Sequence, residues 1–103
     1  MGLNDFQVDR NLKVTNLTAG AGELSQSLLT ASLSGRAPLD RIKVQNLHAT
    51  DPADVGFVAG GPYARVKAGD TMDLGSVGPG DRTTLFYIRA GAADAPLRLL
   101  IWG

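Results

Sequence analysis

"VKAGDTMDLGSVGPGDRTTLFYIRA" (residues 66–90) decides the fold because it places two strand-like runs around dense turn chemistry. Residues 71–77 and 83–90 carry apolar side chains at alternate positions or in a short continuous run, which is typical of β-strands. Gly80-Asp81 lies between these runs, and Gly69-Asp70 precedes the first. Both pairs favour turns, since Gly tolerates positive φ and Asp bonds to nearby backbone. The segment therefore predicts a chain that reverses direction after short strands.

The same alternation of short apolar runs and turn residues extends over most of the chain. Seven strands are predicted, over residues 12–17, 28–33, 41–47, 63–67, 71–77, 83–90 and 97–102. Many short strands separated by turn signals indicate an all-β fold, which we expect to be a single small antiparallel β-sandwich. Residues 24–33 leave a choice between strand and short helix, because Leu24, Leu28 and Ala31 also share one face of a helix.

The runs at 83–90 and 97–102 differ in pattern from the run at 41–47. In 41–47 the apolar Ile42 and Val44 alternate with polar residues, which predicts one buried face and one wet face. In 83–90 several apolar residues stand together, and 97–102 is similar, which predicts central strands covered on both sides. The last run must therefore bury apolar surface in the domain's own core or against a partner.

"LKVTNLTA" (12–19) and "IKVQNLHA" (42–49) are nearly the same sequence. A solenoid needs a third similar unit to bury a continuous core, and none follows. We therefore interpret the repeat as the same local structure formed twice, not as a duplicated functional unit. In each copy we expect the Val to point inward and the Lys outward, and Asn16 or Asn46 to end the strand by bonding nearby backbone.

"IKVQNL" from Ile42 and "DLGSVGPGDRTTLFYIRA" from Asp73 together resemble the immunoglobulin-like sandwich domains of bacterial and phage structural proteins. The shared features are a strand ending in Asn, a Leu-Gly element, a Pro-Gly-Asp turn and a long central strand. The resemblance covers a little over half of the chain, and Trp102 does not lie where antibody-type domains place their core Trp. It implies an immunoglobulin-like β-sandwich and no particular function, because such sandwiches serve many roles.

The composition limits the classes of function open to this chain. With 103 residues we expect one domain spanning 1–103, and without Cys the chain has neither disulfides nor thiolate metal ligands. Ten basic residues are balanced by ten acidic ones and are scattered, so we expect no nucleic-acid partner and no membrane partner. The polar N-terminal residues and the lack of a long apolar run predict no signal peptide and no membrane span.

No constellation of residues for catalysis is evident. His48 is the only histidine, it has no Cys or nucleophile motif to work with, and we interpret it as a surface loop residue. Two groups of loop carboxylates are weak calcium candidates, because their spacing differs from that of calcium loops and Asp also forms turns. They are Asp51 with Asp54, and Asp70 with Asp73 and Asp81. We therefore expect a protein that is not an enzyme, with no cofactor and no metal site.

Apolar residues near both ends and in one glycine-rich loop are the candidate protein contacts. They are Phe6, Val8, Phe57, Tyr63 and Trp102. Residues 1–11 form a candidate extended docking arm, and "FVAGGPY" (57–63) is interpreted mainly as a bulged hairpin or loop, with partner contact as the alternative. Large apolar side chains left exposed favour association with another surface.

These features predict a structural protein that docks on neighbouring subunits through β edges and termini. The expected setting is a bacteriophage virion, in which the chain would be a capsid decoration, head or tail protein. It would be cytoplasmic before assembly, and its partners would be other subunits or further copies of itself in a homo-oligomer. The alternative is a small glycan- or calcium-binding module of a larger or secreted bacterial system. A stable oligomer in solution favours the first function, and a monomer stabilised by calcium or sugar favours the second.

Overall fold

The computed structural model describes residues 11–78, 85–91 and 94–103, and these form eight β-strands and no α-helix. The strands are β1 (Leu12–Ala19), β2 (Leu24–Ser27), β3 (Leu39–Asn46), β4 (Ala53–Gly56), β5 (Ala64–Val66), β6 (Thr71–Val77), β7 (Leu85–Ala90) and β8 (Ala95–Trp102). They form two four-stranded antiparallel sheets around one core. The prediction of an all-β fold is confirmed, and the two sheets are consistent with a small sandwich.

The strands pair as if the chain first formed one long hairpin, with β1 opposite β8 and β4 opposite β5, which then folded over into two sheets. The first sheet has the order β1-β8-β3-β6, and the second sheet has the order β2-β7-β4-β5. The nested pairs are β1 with β8, β2 with β7, β3 with β6 and β4 with β5. Folding over brings β8 against β3 and β7 against β4 as well. Only the β4–β5 connection stays within one sheet, so the other connections pass from one sheet to the other.

The central strands β7 and β8 bury one face each. Along both strands, buried residues alternate with residues that are exposed or half-buried. The inward side chains belong to the core, because the side chains of a strand alternate between its two faces. Within the domain itself, the expectation that these strands are covered on both sides is therefore wrong. Their inward residues of large volume are Phe86, Ile88, Leu97, Leu99 and Ile101.

Residues 28–33 form a turn and not the predicted strand. β2 ends at Ser27, whose carbonyl accepts the amide of Ala31 at 3.3 Å, and the Leu29 carbonyl accepts the amide of Ser32 at 3.2 Å. Leu28 and Ala31 are buried within this turn. The ambiguous segment thus begins as a strand and ends as a tight turn. The turn accounts for the helix-like spacing of Leu28 and Ala31, whereas Leu24 lies exposed in β2.

β4 is a strand that sequence reasoning missed entirely. Six of the seven predicted strands are present, β2 forms at 24–27 instead of 28–33, and β4 brings the described chain to eight strands. Ala53 and Val55 point inward and are buried, while Asp54 and Gly56 lie on the other face and are half-buried. The pattern is too short to stand out, and Asp and Gly are depleted in strands.

The two copies of the repeated sequence, in β1 and β3, lie on either side of β8, and equivalent residues of the two copies point to opposite faces of the sheet. Trp102 pairs with Leu12 on one side and with Arg41 on the other, so the copies are offset by one residue. A shift of one residue exchanges the two faces of a strand. Val44 is therefore 0 % exposed, while Val14 is 47 % exposed. The expected inward Val and outward Lys are confirmed in β3 and wrong in β1.

Asn46 ends β3 and bonds nearby backbone, as predicted, and it also bonds to the distant Val66, which was not predicted. Its Nδ2 donates to the carbonyls of Asp51 and Val66, both at 3.0 Å, and its Oδ1 accepts the amide of His48 at 2.9 Å. Asn46 is fully buried, so these bonds satisfy a polar group that would otherwise be costly to bury. Asn16, in contrast, lies exposed within β1 and does not end it, so that prediction is wrong.

Candidate partner-binding surfaces

The outer face of the first sheet carries a group of apolar side chains. Directly paired residues share a face of a sheet, so Leu12 lies beside Trp102, and Val14 lies beside Leu100. Val14 is exposed, and the other three are half-buried. We call the surface formed by Leu12, Val14, Leu100 and Trp102 the Trp102 face.

Three cations lie on or beside the Trp102 face. The Arg41 guanidinium carbon is 5.5 Å from the centroid of the Trp102 ring, and Lys43 Nζ is 5.9 Å from it. A cation at this distance is attracted to the electron-rich face of an indole. Arg98 lies on the same side of β8, and its Nε is buried with no hydrogen-bond partner among the residues that the structure describes. The surface therefore combines apolar area with positive charge.

Among the described strands, β1, which contributes Leu12 and Val14 to this face, also provides the longest regular edge of a sheet. β2 and β5, at the edges of the second sheet, have four and three residues. The other edge of the first sheet, β6, is irregular, because its register with β3 shifts around Ile42 and Gly75 has φ 90°. Such bulges interrupt the pairing of an edge strand with another chain. β1 pairs with β8 without interruption over its eight residues.

The candidate contact residues fall in different places. Trp102 lies on the outer face of the first sheet, as described above. Phe6 and Val8 lie outside the described residues, as does the candidate arm except for Asn11. The remaining two, Phe57 and Tyr63, belong to the β4–β5 connection but do not form one surface.

Phe57 lies at an apolar cavity of about 310 Å³ beside the β4–β5 connection. Val58, Pro62 and Leu74 are among the other residues that line it. Phe57 and Val58 are exposed, so the connection presents apolar surface. This surface is separate from the Trp102 face, because its lining comes from β4, β5, their connection and Leu74 of β6, and not from β1 or β8.

Tyr63 is turned instead toward Glu23. The Tyr63 hydroxyl and the Gly60 amide both donate to Oε2 of Glu23, the second at 2.7 Å. The bond from Tyr63, followed by that from Gly60, lowers the pKa of Glu23 below its ordinary value, and the same bond to Glu23 raises the pKa of Tyr63. Glu23 therefore fastens the β4–β5 connection to the residues that precede β2.

A charged cluster on the second sheet was not predicted from the sequence. Asp54 of β4 accepts the Arg65 Nε of β5 on Oδ1 at 3.2 Å and the Arg89 Nε of β7 on Oδ2 at 3.3 Å. The Arg89 guanidinium carbon lies 4.2 Å from the centroid of the Tyr63 ring. Asp54, considered above as a weak calcium ligand, is thus paired with two cations. In the sequence, this cluster is visible only as one outward-facing charged residue in each of three strands.

His48 organises the loop after β3. Its Nδ1 accepts the amides of Thr50 at 3.1 Å and Asp51 at 2.9 Å, and its Nε2 lies 4.0 Å from Oδ2 of Asp51. The ring is partly buried and bonded within its own loop, which agrees with its interpretation as a loop residue. An imidazole that accepts two backbone amides acts here as a turn-forming group.

Comparisons with known proteins assign no family to the chain. No protein-family model matches the chain, and a search of curated proteins finds no significant match. Within residues 11–78, 85–91 and 94–103, no three His, Asp or Glu side chains lie close enough together to hold a metal ion. The same part of the chain contains no helix with the length and apolarity needed to cross a bilayer.

Proposed function

We propose that this protein is a non-enzymatic structural subunit that docks on neighbouring protein subunits through the Trp102 face. The observation that carries the proposal is the division of β8, which fills the core with one face and presents Leu100 and Trp102 with the other. Val14 adds to the same surface because β1 is offset by one residue. Fully covering an exposed large apolar side chain is worth about 1.5–3 kcal/mol, and the remaining exposed area of the four side chains of this face contributes in the same way to docking.

The chemistry around the Trp102 face favours a protein partner. Trp and Arg are enriched at the centres of protein interfaces, where they supply much of the binding energy, and Arg41 lies against Trp102 here. The formal net charge of the chain is zero, so two copies do not repel each other at long range. A homo-oligomer, or docking on a lattice of other protein subunits, fits both properties.

The strand order supports a jelly roll over the immunoglobulin-like sandwich that the sequence resembles. Immunoglobulin domains place their first two strands in one sheet, whereas β1 and β2 lie in different sheets here. Eight strands paired as a rolled-up hairpin correspond to the jelly rolls of viral capsid proteins, lectins and cupins. A fold does not determine function, but assembly into capsids is one use of this architecture.

Within the structural class, we propose a bacteriophage virion component, such as a capsid decoration, head or tail protein. Its localisation would be the virion, or the cytoplasm before assembly. The strand order, the outward apolar surface and the uninterrupted edge of β1 all support this setting.

Size-exclusion chromatography with light scattering tests docking between copies. Val14→Asp places a carboxylate on the Trp102 face, and Leu85→Asp places one on the outside of the second sheet at similar exposure, 42 % against 47 %. The wild type and Leu85→Asp are expected to form the same oligomer, while Val14→Asp stays monomeric and folded. A wild type that is monomeric at every concentration, or an oligomer that Val14→Asp leaves intact, would contradict docking between copies through this face.

Trp102→Ala separates docking from the stability of the domain. Because Trp102 lies outside the core, we expect its loss to reduce assembly more than it lowers the unfolding temperature of the isolated chain. Thermal unfolding and oligomer mass, or occupancy on an assembled particle, are measured on the same preparation. A collapse in unfolding temperature with unchanged assembly per folded molecule would show that Trp102 serves the fold itself.

A small glycan-binding module is the second candidate function, and one observation favours it. The Asp54–Arg65–Arg89 cluster lines a cavity on the second sheet, where polar groups converge. Protein ligand sites combine such a concavity with a few fixed polar groups. The calcium form of this alternative gains no such support, since no group of three His, Asp or Glu side chains among the described residues could hold a metal ion; the candidate Asp81 lies outside those residues.

A further inference from the structure

The cavity at the charged cluster has a volume of about 280 Å³ and lies on the second sheet, which does not contribute to the Trp102 face. Asp54, Arg65 and Arg89 line it, together with residues that include Ala21 and Gly91. The Asp54 side chain is 17 % exposed, whereas those of Arg65 and Arg89 are 68 % and 47 % exposed. The two cations are therefore the groups that an incoming ligand reaches most easily.

Both guanidiniums are held in place without using their whole donor capacity. Arg65 and Arg89 each donate to Asp54 through Nε, to different carboxylate oxygens. Arg89 is further held by its contact with the Tyr63 ring, which Glu23 fixes in turn. A guanidinium carries five N–H donors in a planar fork, so terminal nitrogens remain for a second acceptor.

The donors at the cavity identify the acceptor. The two guanidiniums are its most exposed charged groups, whereas the Asp54 carboxylate is largely buried and already accepts from both of them. Glu23, the other carboxylate that interacts with Arg89, is itself bonded to Tyr63 and Gly60. We propose that this cavity binds a small ligand through an oxyanion, either a carboxylate or a phosphate, with Arg65 and Arg89 as its donors. Arg forks match both groups in geometry, and the volume is near the lower limit for small-molecule sites. A ligand of monosaccharide size, or the anion alone, fits this space.

Titration of the isotopically labelled protein, followed by amide NMR shifts, tests the proposal with three probes. Glucuronate supplies a carboxylate, inorganic phosphate supplies the other anion, and glucose is the neutral control. We expect saturable shifts at Ala21, Arg89 and Gly91 with at least one anion and none with glucose. The anion that binds with the higher affinity shows whether the site prefers a carboxylate or a phosphate. The absence of saturable shifts with either anion at millimolar concentration, or equal shifts with glucose, would overturn the proposal.

Variants place the binding at this cavity. Arg65→Gln and Arg89→Gln are each expected to weaken anion binding by about tenfold or more, because each removes a charged donor. Arg36→Gln, an exposed position in the β2–β3 connection, is the matched control and is expected to bind normally. Gly91→Glu keeps both arginines but adds a competing carboxylate at the wall, where a Cβ would meet no other atom within 4 Å. Unchanged affinity in folded Arg65→Gln and Gly91→Glu would show that the cluster is only an ion network joining three strands.

This inference does not rest on the docking function. Val14→Asp alters the Trp102 face on the first sheet and is expected to bind the anion as the wild type does. A wild type that forms the oligomer but does not bind the anion contradicts only the anion site. A wild type that binds the anion but stays monomeric contradicts only docking between copies.

Discussion

β1 and β3 have nearly the same sequence and opposite relations to the core. Val44 is buried whereas Val14 is exposed, and Asn46 is buried whereas Asn16 is exposed. Both strands pair with β8, but one is displaced by a residue relative to the other. The difference teaches that pairing register decides which side chains reach the core, because nearly identical local sequences turn opposite faces toward it.

The displacement of β1 has a consequence for function. In β3 the polar positions Lys43 and Gln45 face outward, as they do in an ordinary one-sided strand. In β1 the apolar Leu12 and Val14 face outward beside Leu100 and Trp102 of β8. Because its register is shifted by one residue, β1 therefore supplies two of the four apolar side chains, Leu12 and Val14, of the surface that we propose for docking.

The largest expected difference between the copies is at their asparagines. Asn46→Ala removes three side-chain hydrogen bonds from a buried site, and at about 1 kcal/mol each we expect a loss of about 3 kcal/mol. Asn16→Ala changes an exposed residue and is expected to cost less than about 0.5 kcal/mol. Urea unfolding of both variants measures the difference. Equal losses would mean that the two strands do not differ in register as described.

The valines give the next largest difference. Val44→Ala removes two methyl groups from the core, for an expected loss of about 2 kcal/mol in unfolding free energy. Val14→Ala changes an outward side chain, and we expect a loss below about 0.5 kcal/mol in the isolated chain. The same unfolding experiment compares them. A loss at Val14 as large as that at Val44 would place Val14 in the core and contradict the offset.

The smallest difference is expected at His48 and Thr18, which occupy the same place in the two copies. His48→Ala removes the acceptor of two backbone amides in a partly exposed loop, so we expect a loss of about 1 kcal/mol. Thr18→Ala changes an exposed strand residue and is expected to be nearly neutral. Neither variant is expected to alter assembly or anion binding. A folded His48→Ala that loses either activity would reveal a functional role for this histidine.

The sequence predicted what depends on neighbouring residues. Alternation in β3, and the turn residues around β6, identified short strands with one buried face, and Asn46 was recognised as a strand end. Register was out of reach, because it depends on which strand lies beside β1, and nothing local distinguishes Val14 from Val44. β4 was missed because so short a strand carries little pattern.

The charged cluster was unpredictable for a related reason. Asp54, Arg65 and Arg89 are far apart in the sequence and meet only because β4 lies between β5 and β7. Each is a single outward charge in its strand, which by itself indicates only a solvated face. Glu23 and Tyr63 meet in the same way, across the β4–β5 connection.

The central claim is that the Trp102 face is covered by a neighbouring subunit, and thiol protection measures this most directly. The chain has no Cys, so Val14→Cys and Leu85→Cys each introduce a single reactive thiol on a different sheet. The rate of maleimide modification is compared between assembled protein and dilute, dissociated protein. We predict that assembly strongly slows the modification of Val14→Cys and leaves that of Leu85→Cys unchanged. Equal rates for Val14→Cys in the two states, with assembly verified by light scattering, would contradict the account.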